Sequence, residues 1–542
     1  MTPQGAPPYR LLVTDEVDPE GVALLLSDPD LQVDVVPTLP AAELLERIGS
    51  YDAIVGRSAT RISEQLLRAG ARLKVVGRAG VGVDNVDMAT ATSLGIAVIN
   101  APAGNTVAVA ELFFGATLTL LRHLTRAATS MREGRWDRSA LLGSELKGRR
   151  LGIVGLGRIG AEVAHRAHAF GAEVTAFDPY VAPERFTSLR VRPAPSLDAL
   201  LGEVNLVTVH TPLTDETRGL LDARRLALLE PGAIVVNLAR GGIVDDAALL
   251  DALESGHLGG AVLDVYATEP LLGEHPFRRM GNVVLTPHIG ASTAEAQRNV
   301  AVDVCAAVRD ALLEGDYSRS LNAALSGDDA QGVRPAMLLA RRAATVARSL
   351  LAARGLGAVS SLTLRTGDEL ADASQALLAA ASLGALEGVV GSDRVNLINA
   401  RSVATSRGLA LAVGPSGDPP HSRALEVRVG ADGQEMRVGG VAALDAPPRL
   451  TRIGDFHVDV MPRGTLLVLG NRDVPGVIGR VGTLLGEAGV NIAEYHQARM
   501  TPGGEALAVV SIDGPLPAAA RDALLALPDV HTATVVNLPA AL

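Results

Sequence analysis

Short, uninterrupted apolar runs alternate with stretches in which apolar positions recur every three to four residues. Leu11–Thr14, Ala53–Gly56, Leu73–Val76 and Ala97–Ile99 read as parallel strands, because a strand covered on both faces is apolar throughout rather than at every second position. Val107–Met131 predicts one long helix. Six more runs follow at 149–154, 174–177, 206–209, 233–238, 260–265 and 283–286. The helical pattern Ala291–Glu314 then returns the chain to complete the fold begun at residues 9–100. Strands alternating with helices in this way predict an α/β architecture of two doubly wound parallel sheets.

The pattern changes near Ser326–Arg334, a polar, Gly-rich segment that reads as a boundary. Residues 335–450 mix Ala/Leu-rich helical patterns with alternating segments such as Glu426–Val429. The strand-like Leu466–Gly470, helical Val477–Glu487, strand-like Ala506–Ile512, helical Ala518–Leu527 and strand-like Thr532–Asn537 belong to a ferredoxin-like βαββαβ unit.

Composition narrows the picture. At 542 residues the chain suggests roughly three to four domains. Hydrophobic residues make up 48%, yet no apolar run approaches the ~18 needed to cross a bilayer. Cys305 is the single cysteine, which excludes an intramolecular disulfide or a cysteine metal cluster, and no metal is expected. Met1–Tyr9 lacks the charged end and apolar centre of a signal peptide. A cytoplasmic protein is therefore expected. The net charge of -11 argues against a general nucleic-acid surface.

The first candidate chemistry lies at Gly155-Leu-Gly-Arg-Ile-Gly160, between a strand-like run and an amphipathic stretch. Gly155, Gly157 and Gly160 would let the backbone turn sharply and approach a pyrophosphate at the helix N-terminus. Asp178 ends the next strand, where a carboxylate accepts ribose hydroxyls and repels a 2′-phosphate, so NAD is favoured over NADP. Later strand ends deliver His210, Arg240, Glu269 and His288 to the sheet edge where ligands of such folds bind. Hydride transfer from a 2-hydroxy acid needs a proton carrier, which imidazole at His288 suits. Glu269 can orient that ring, and the planar fork of Arg240 matches a carboxylate. Each also has a structural reading: a packed His, a turn Glu before Pro270, a surface-paired Arg.

Asn237–Gly242, Asp264–Pro270 and Thr286–Thr293 resemble the D-isomer-specific 2-hydroxyacid dehydrogenases. Val55–Thr60 and Arg78–Asn85 resemble, more narrowly, the phosphoglycerate-oxidising branch in its long form. The resemblance implies a flavodoxin-like substrate domain (1–101 and 290–322) and a Rossmann NAD domain (102–289). An α+β intervening domain (323–455) and an ACT domain (464–542) would follow. It makes Arg240, Glu269 and His288 the catalytic set, with His288 as acid/base. It places Arg158, Ile159, Asp178, Thr211, Asp264 and Gly290 around NAD, Asp264 near the nicotinamide amide, and makes His210 a packed neighbour of the cofactor.

Arg57 and Arg78 would read a substrate phosphate, and Gly80, Val81 and Gly82 would turn backbone N–H groups to a carboxylate. Asn105 and Thr106 are further polar candidates. The implied reaction is oxidation of 3-phospho-D-glycerate (3-phosphoglycerate) on the route to L-serine, in a homodimer or homotetramer. L-Serine would act as effector at Asp473 and Asn491. Arg401 and Arg452 could serve a second anion site or simply a solvated face. Rival readings are a dehydrogenase for another D-2-hydroxy acid and an NAD-sensing scaffold without turnover.

Overall fold

The structure, a computed structural model, describes residues 8–324, 330–387, 395–415, 421–540 and 542. The N-terminal sheet contains β1 (Tyr9–Val13), β2 (Leu31–Val35), β3 (Ala53–Gly56), β4 (Val75–Arg78) and β5 (Ala97–Asn100), all parallel in the order β2-β1-β3-β4-β5. β2 is absent from the sequence expectation. Its sequence LQVDV alternates apolar and polar because it lies at the sheet edge and is only partly covered. β4 begins two residues later than expected, which brings Arg78 into its last position. The helix Ala294–Leu313 returns to this sheet, and its Val300, Val304 and Val308 pack in one core with Leu11, Val13 and Val55.

The chain crosses to the second sheet through a helix that is broken. The expected single helix at 107–131 divides into Thr106–Leu121 and Leu124–Arg132, bent by 63°. His123 adopts the left-handed conformation at φ 53°, ending the first helix without the Gly or Pro that would have announced the break. The second sheet has seven parallel strands: β6 (Arg150–Val154), β7 (Glu173–Phe177), β8 (Arg192–Pro193), β9 (Leu206–Val209), β10 (Ala233–Asn237), β11 (Leu258–Leu263) and β12 (Val283–Leu285). Their order is β12-β11-β10-β9-β6-β7-β8, so the direction of winding reverses between β6 and β9. A doubly wound sheet opens its ligand crevice at such a switch point.

Part of the expected boundary at 326–334 falls outside the described residues; from Ala330 onward it is already the helix Ala330–Ala353. That helix and Ser374–Leu386 pack on a mixed six-stranded sheet of β13 (Ser361–Thr366), β14 (Ala410–Val413), β15 (Ala424–Ala431), β16 (Gln434–Val441), β17 (Arg449–Ile453) and β18 (Phe456–Val460). β18 lies beyond residue 455, where the intervening unit was expected to close. The last sheet holds β19 (Thr465–Arg472), β20 (Ile492–Arg499), β21 (Glu505–Ile512) and β22 (Val530–Asn537), antiparallel in the order β20-β21-β19-β22. In β19, Leu467 and Leu469 pack with Val481 and Leu524 of its two helices, whereas Leu466 and Val468 belong to the core of the preceding unit. This sheet is thus covered on both faces, which explains the unbroken apolar run LLVL.

Candidate active site

Strand ends of the two parallel sheets face each other across a cleft of about 780 Å³. Arg57, Arg78 and Gly80–Gly82 line one wall; Arg240, Glu269 and His288 line the other. His288 Nδ1 and Glu269 Oε2 are 2.6 Å apart, and Glu269 Oε1 accepts the Tyr266 N–H at 3.0 Å. The acid therefore fixes the ring through Nδ1 and leaves Nε2 for the cleft. His288 itself is left-handed at φ 54°, an uncommon conformation for a non-glycine residue.

What holds that turn is Asp264. Fully buried, it accepts from Thr286 Oγ1 at 2.6 Å, from the Ile289 N–H at 2.8 Å and from the Gly290 N–H at 2.8 Å. Asp264 and Gly290 thus spend their polar groups on each other and on the His288 loop.

Four arginines line the cleft, of which Arg278 spends its guanidinium on the carbonyls of Gly273 and Leu271. Arg240 follows β10 in a turn shaped by Asn237, whose Nδ2 donates to the Arg240 carbonyl at 2.8 Å. Its Nε donates to Asp84 at 3.0 Å, across the gap between the two sheets. Arg78 ends β4, with Nη1 donating to the Ala79 carbonyl at 3.0 Å and Nε enclosed without a partner. Burial, reinforced by the Arg240 and Arg57 charges, pulls Arg78 down to about 10, which leaves it charged near neutral pH. Gly80 and Gly82 leave the space that the Arg78 and Arg240 guanidiniums fill. The Gly80 N–H donates to the Arg78 carbonyl at 2.8 Å, so of the expected glycine-loop donors it is already engaged. Asn105 Oδ1 and Thr106 Oγ1 are buried without partners at the start of the helix Thr106–Leu121, neither being spent on capping it.

The glycine turn after β6 fits a dinucleotide. Gly155 has φ +92°, and a Cβ there would meet the His210 carbonyl at 2.7 Å. At Gly160 a Cβ would collide with the Gly155 carbonyl, whereas Gly157 faces open space. The helix Arg158–Ala169 starts there, with Arg158 and Ile159 in its first turn. Asp178 Oδ2 accepts the Leu156 N–H at 2.8 Å, which sets the acid against the turn. Thr211 Oγ1 and His210 Nδ1 are buried without partners beside it. Burial pulls His210 down to about 4, so it stays neutral near pH 7 and is suited to packing rather than to proton transfer. These open polar atoms and the bare glycine backbone match what NAD requires.

The sequence reading missed Asp84, Tyr266 and Asn85, which also line the cleft. Asp84 and Asn85 stand inside the quoted Arg78–Asn85 motif, which could have drawn attention to them.

At the far end of the chain, Asp473 Oδ2 accepts from Arg499 at 2.9 Å and from the Gly503 N–H at 3.1 Å, and the Arg499 bond draws its carboxyl below the usual range. Asn491 Nδ2 donates to Asp513 at 2.6 Å. In the pairing of β19 with β21, Arg472 meets Glu505 while Thr465 meets Ile512. Asp473 and Asn491 therefore lie at opposite ends of the sheet, roughly 20 Å or more apart at ~3.4 Å per residue. One chain does not bring them to a common junction, contrary to expectation. Arg452 lies on β17 among Arg365, Arg428 and Arg437, whereas Arg401 is on the separate helix Ala400–Ser406.

Comparison with known proteins agrees with this geometry. The NAD binding domain of the D-isomer specific 2-hydroxyacid dehydrogenases matches residues 114–290, and the ACT domain matches residues 465–529. A D-3-phosphoglycerate dehydrogenase of Synechocystis sp. is 38% identical over 533 residues, covering 98% of this chain and 95% of its own. The chain belongs to the D-3-phosphoglycerate dehydrogenase family. A Bacillus subtilis member of the family is 37% identical over 538 residues, 98% of this chain and 100% of its own. Among solved structures, a putative D-isomer specific 2-hydroxyacid dehydrogenase from Polaromonas sp. has a TM-score of 0.53 at 32% identity, covering 58% of this chain and 100% of its own. The D-lactate dehydrogenase from Aquifex aeolicus, complexed with NAD and lactic acid, has a TM-score of 0.51 at 28% identity, covering 57% and 97%. Like its relatives in the D-3-phosphoglycerate dehydrogenase family, the chain is an NAD-dependent oxidoreductase.

Proposed function

We propose that the cleft oxidises 3-phospho-D-glycerate to 3-phosphooxypyruvate. The observation that carries this reading is the convergence of Arg57, Arg78 and Arg240 beside the His288–Glu269 pair. A carboxylate alone would need one guanidinium fork; three suit a substrate with a carboxylate at one end and a phosphate at the other. Arg240, nearest the catalytic pair on the same wall, would exchange Asp84 for the substrate carboxylate, and Arg57 with Arg78 would take the phosphate. Bound NAD supplies the hydride acceptor. As the C2 hydride departs, His288 Nε2 takes the hydroxyl proton, and Glu269 stabilises the imidazolium through Nδ1. In the opposite direction the same nitrogen returns the proton.

An NADH absorbance assay over a panel of D-2-hydroxy acids tests the reading. Arg57→Ala and Arg78→Ala should lower kcat/KM for the phosphorylated acid by about 10- to 100-fold and spare D-glycerate, because only the former loses a charge-assisted contact. A parent enzyme preferring an unphosphorylated acid would favour the rival dehydrogenase, and absence of turnover on every acid would favour the scaffold.

We further propose that the ACT unit binds L-serine as a feedback effector. Asp473 supplies an acid for the ammonium and Asn491 a donor for the carboxylate. Because they stand far apart in one chain, such a site would combine the ends of two copies, in keeping with a homodimer or homotetramer. Calorimetry should show serine binding to the intact chain and its loss in Asp473→Ala. No heat of binding at millimolar serine would refute the effector role and leave the dehydrogenase reading intact.

A further inference from the structure

We propose that Asp15, together with Asn85, is the positioning residue that fixes the Arg57 loop for anion capture and so sets selectivity for a phosphorylated acid. The selectivity part rests on the reading of Arg57 given above. Asp15 is 5% exposed and is not itself part of the cleft lining. Its carboxylate nevertheless accepts four hydrogen bonds. Oδ2 takes the N–H groups of Arg57 at 2.8 Å and Thr60 at 2.9 Å. Oδ1 takes the hydroxyls of Thr60 at 2.7 Å and Thr38 at 2.9 Å, whereas the Thr14 hydroxyl is nearer the Pro37 carbonyl.

All four donors are neutral. A buried carboxylate without a cation in contact is costly unless its oxygens are fully satisfied, and these are. Those bonds hold the Asp15 carboxyl below its usual range despite the opposing effect of burial. Asp15 and Glu16 are both left-handed, at φ 67° and 52°, an uncommon pair of conformations for non-glycine residues. The turn that aims the carboxylate is thus held by its bonds rather than by local preference.

The same loop is gripped from its other side. Asn85 Nδ2 donates to the carbonyl of Arg57 at 3.0 Å and to that of Thr60 at 2.7 Å. At both Arg57 and Thr60 the N–H is therefore held by Asp15 and the C=O by Asn85, while the Arg57 side chain lines the cleft. Asn85 also ends the Arg78–Asn85 segment, so this clamp keeps the Arg57 and Arg78 loops at a fixed spacing. A phosphate held between two guanidinium groups depends on that spacing, because each fork must meet oxygen within hydrogen-bond reach. An ordinary loop cap would instead affect all substrates alike.

The test is a double-mutant cycle on the full chain. Asp15→Asn keeps shape but turns a donor toward donors. It should raise KM for 3-phosphoglycerate by about tenfold, keep kcat within about threefold, and leave D-glycerate turnover within about twofold. NADH affinity, read by fluorescence, should not change. In the Arg57→Ala background the Asp15 substitution should add little, since the side chain it positions is gone. Additive losses in Asp15→Asn/Arg57→Ala overturn the positioning role. So do equal losses on both substrates from Asp15→Asn where Arg57→Ala discriminates between them. If Arg57→Ala harms both substrates equally while the cycle stays non-additive, the phosphate reading fails and the positioning role stands. Asn85→Ala removes the carbonyl grip and carries the same comparison if Asp15→Asn does not fold.

Discussion

At His288 the side chain is the one proposed to move the proton, and the backbone bears the constraint. Its left-handed turn persists because Asp264 takes the next two N–H groups and Glu269 takes the ring. His288→Gln should cut kcat by about 10²–10⁴ while NADH still binds, measured by steady-state rates and fluorescence titration. Loss of less than about fivefold, with chemistry shown to be rate-limiting, would remove His288 from the acid/base role. His288, Glu269 and Arg240 were legible in sequence because each follows an apolar run inside a distinctive motif. The bonds of Asp264 were not: sequence shows which loop holds a carboxylate, but not that Thr286, Ile289 and Gly290 will donate to it. Asp15 left no trace at all, since its partners at Arg57 and Thr60 are 42 and 45 positions away.

Among elements, the clearest in sequence were those buried on both sides. β3 and β9 coincide with their expected spans, and so does the helix Val477–Glu487, which buries only the face of Val477, Val481 and Leu485. Exposure blurred the rest. β2 alternates like a surface strand, β8 is two residues long, and the intervening sheet offered few continuous runs. The break at His123 was hidden because apolar spacing continues across it; Leu124 and Met131 keep the helical rhythm yet are 50% and 57% exposed.

The turn from β6 into Arg158–Ala169 carries the cofactor prediction. Asp178 is tied to that turn through Leu156, so its charge would stand beside the adenosine ribose of a bound dinucleotide. Asp178→Ser should weaken NAD and narrow its advantage over NADP, read as the ratio of kcat/KM values for the two cofactors. A parent enzyme using both equally well would contradict the role given to the acid.

For the whole molecule, what matters is how the tail is attached. Asn396 Nδ2 donates to the Gly95 carbonyl at 2.6 Å, and Ile398 enters the core under the N-terminal sheet. Arg342 donates to the Pro539 carbonyl at 2.9 Å and to that of Ala540 at 3.1 Å, holding the last sheet to the helix Ala330–Ala353. The tail thus rests against the sheet that bears Arg57 and Arg78, with Gly95 at the opposite end of its strands from these two residues. The two-faced burial of β19 has a thermal consequence. Leu466 and Val468 lend the last sheet's second face to the core of its neighbour, so neither sheet can melt without exposing the other's interior. Leu466→Ala removes atoms from a fully buried position and should cost about 2–5 kcal/mol. In scanning calorimetry that loss should pull down one shared tail transition; two peaks moving independently would mean that the last two sheets melt as separate bodies.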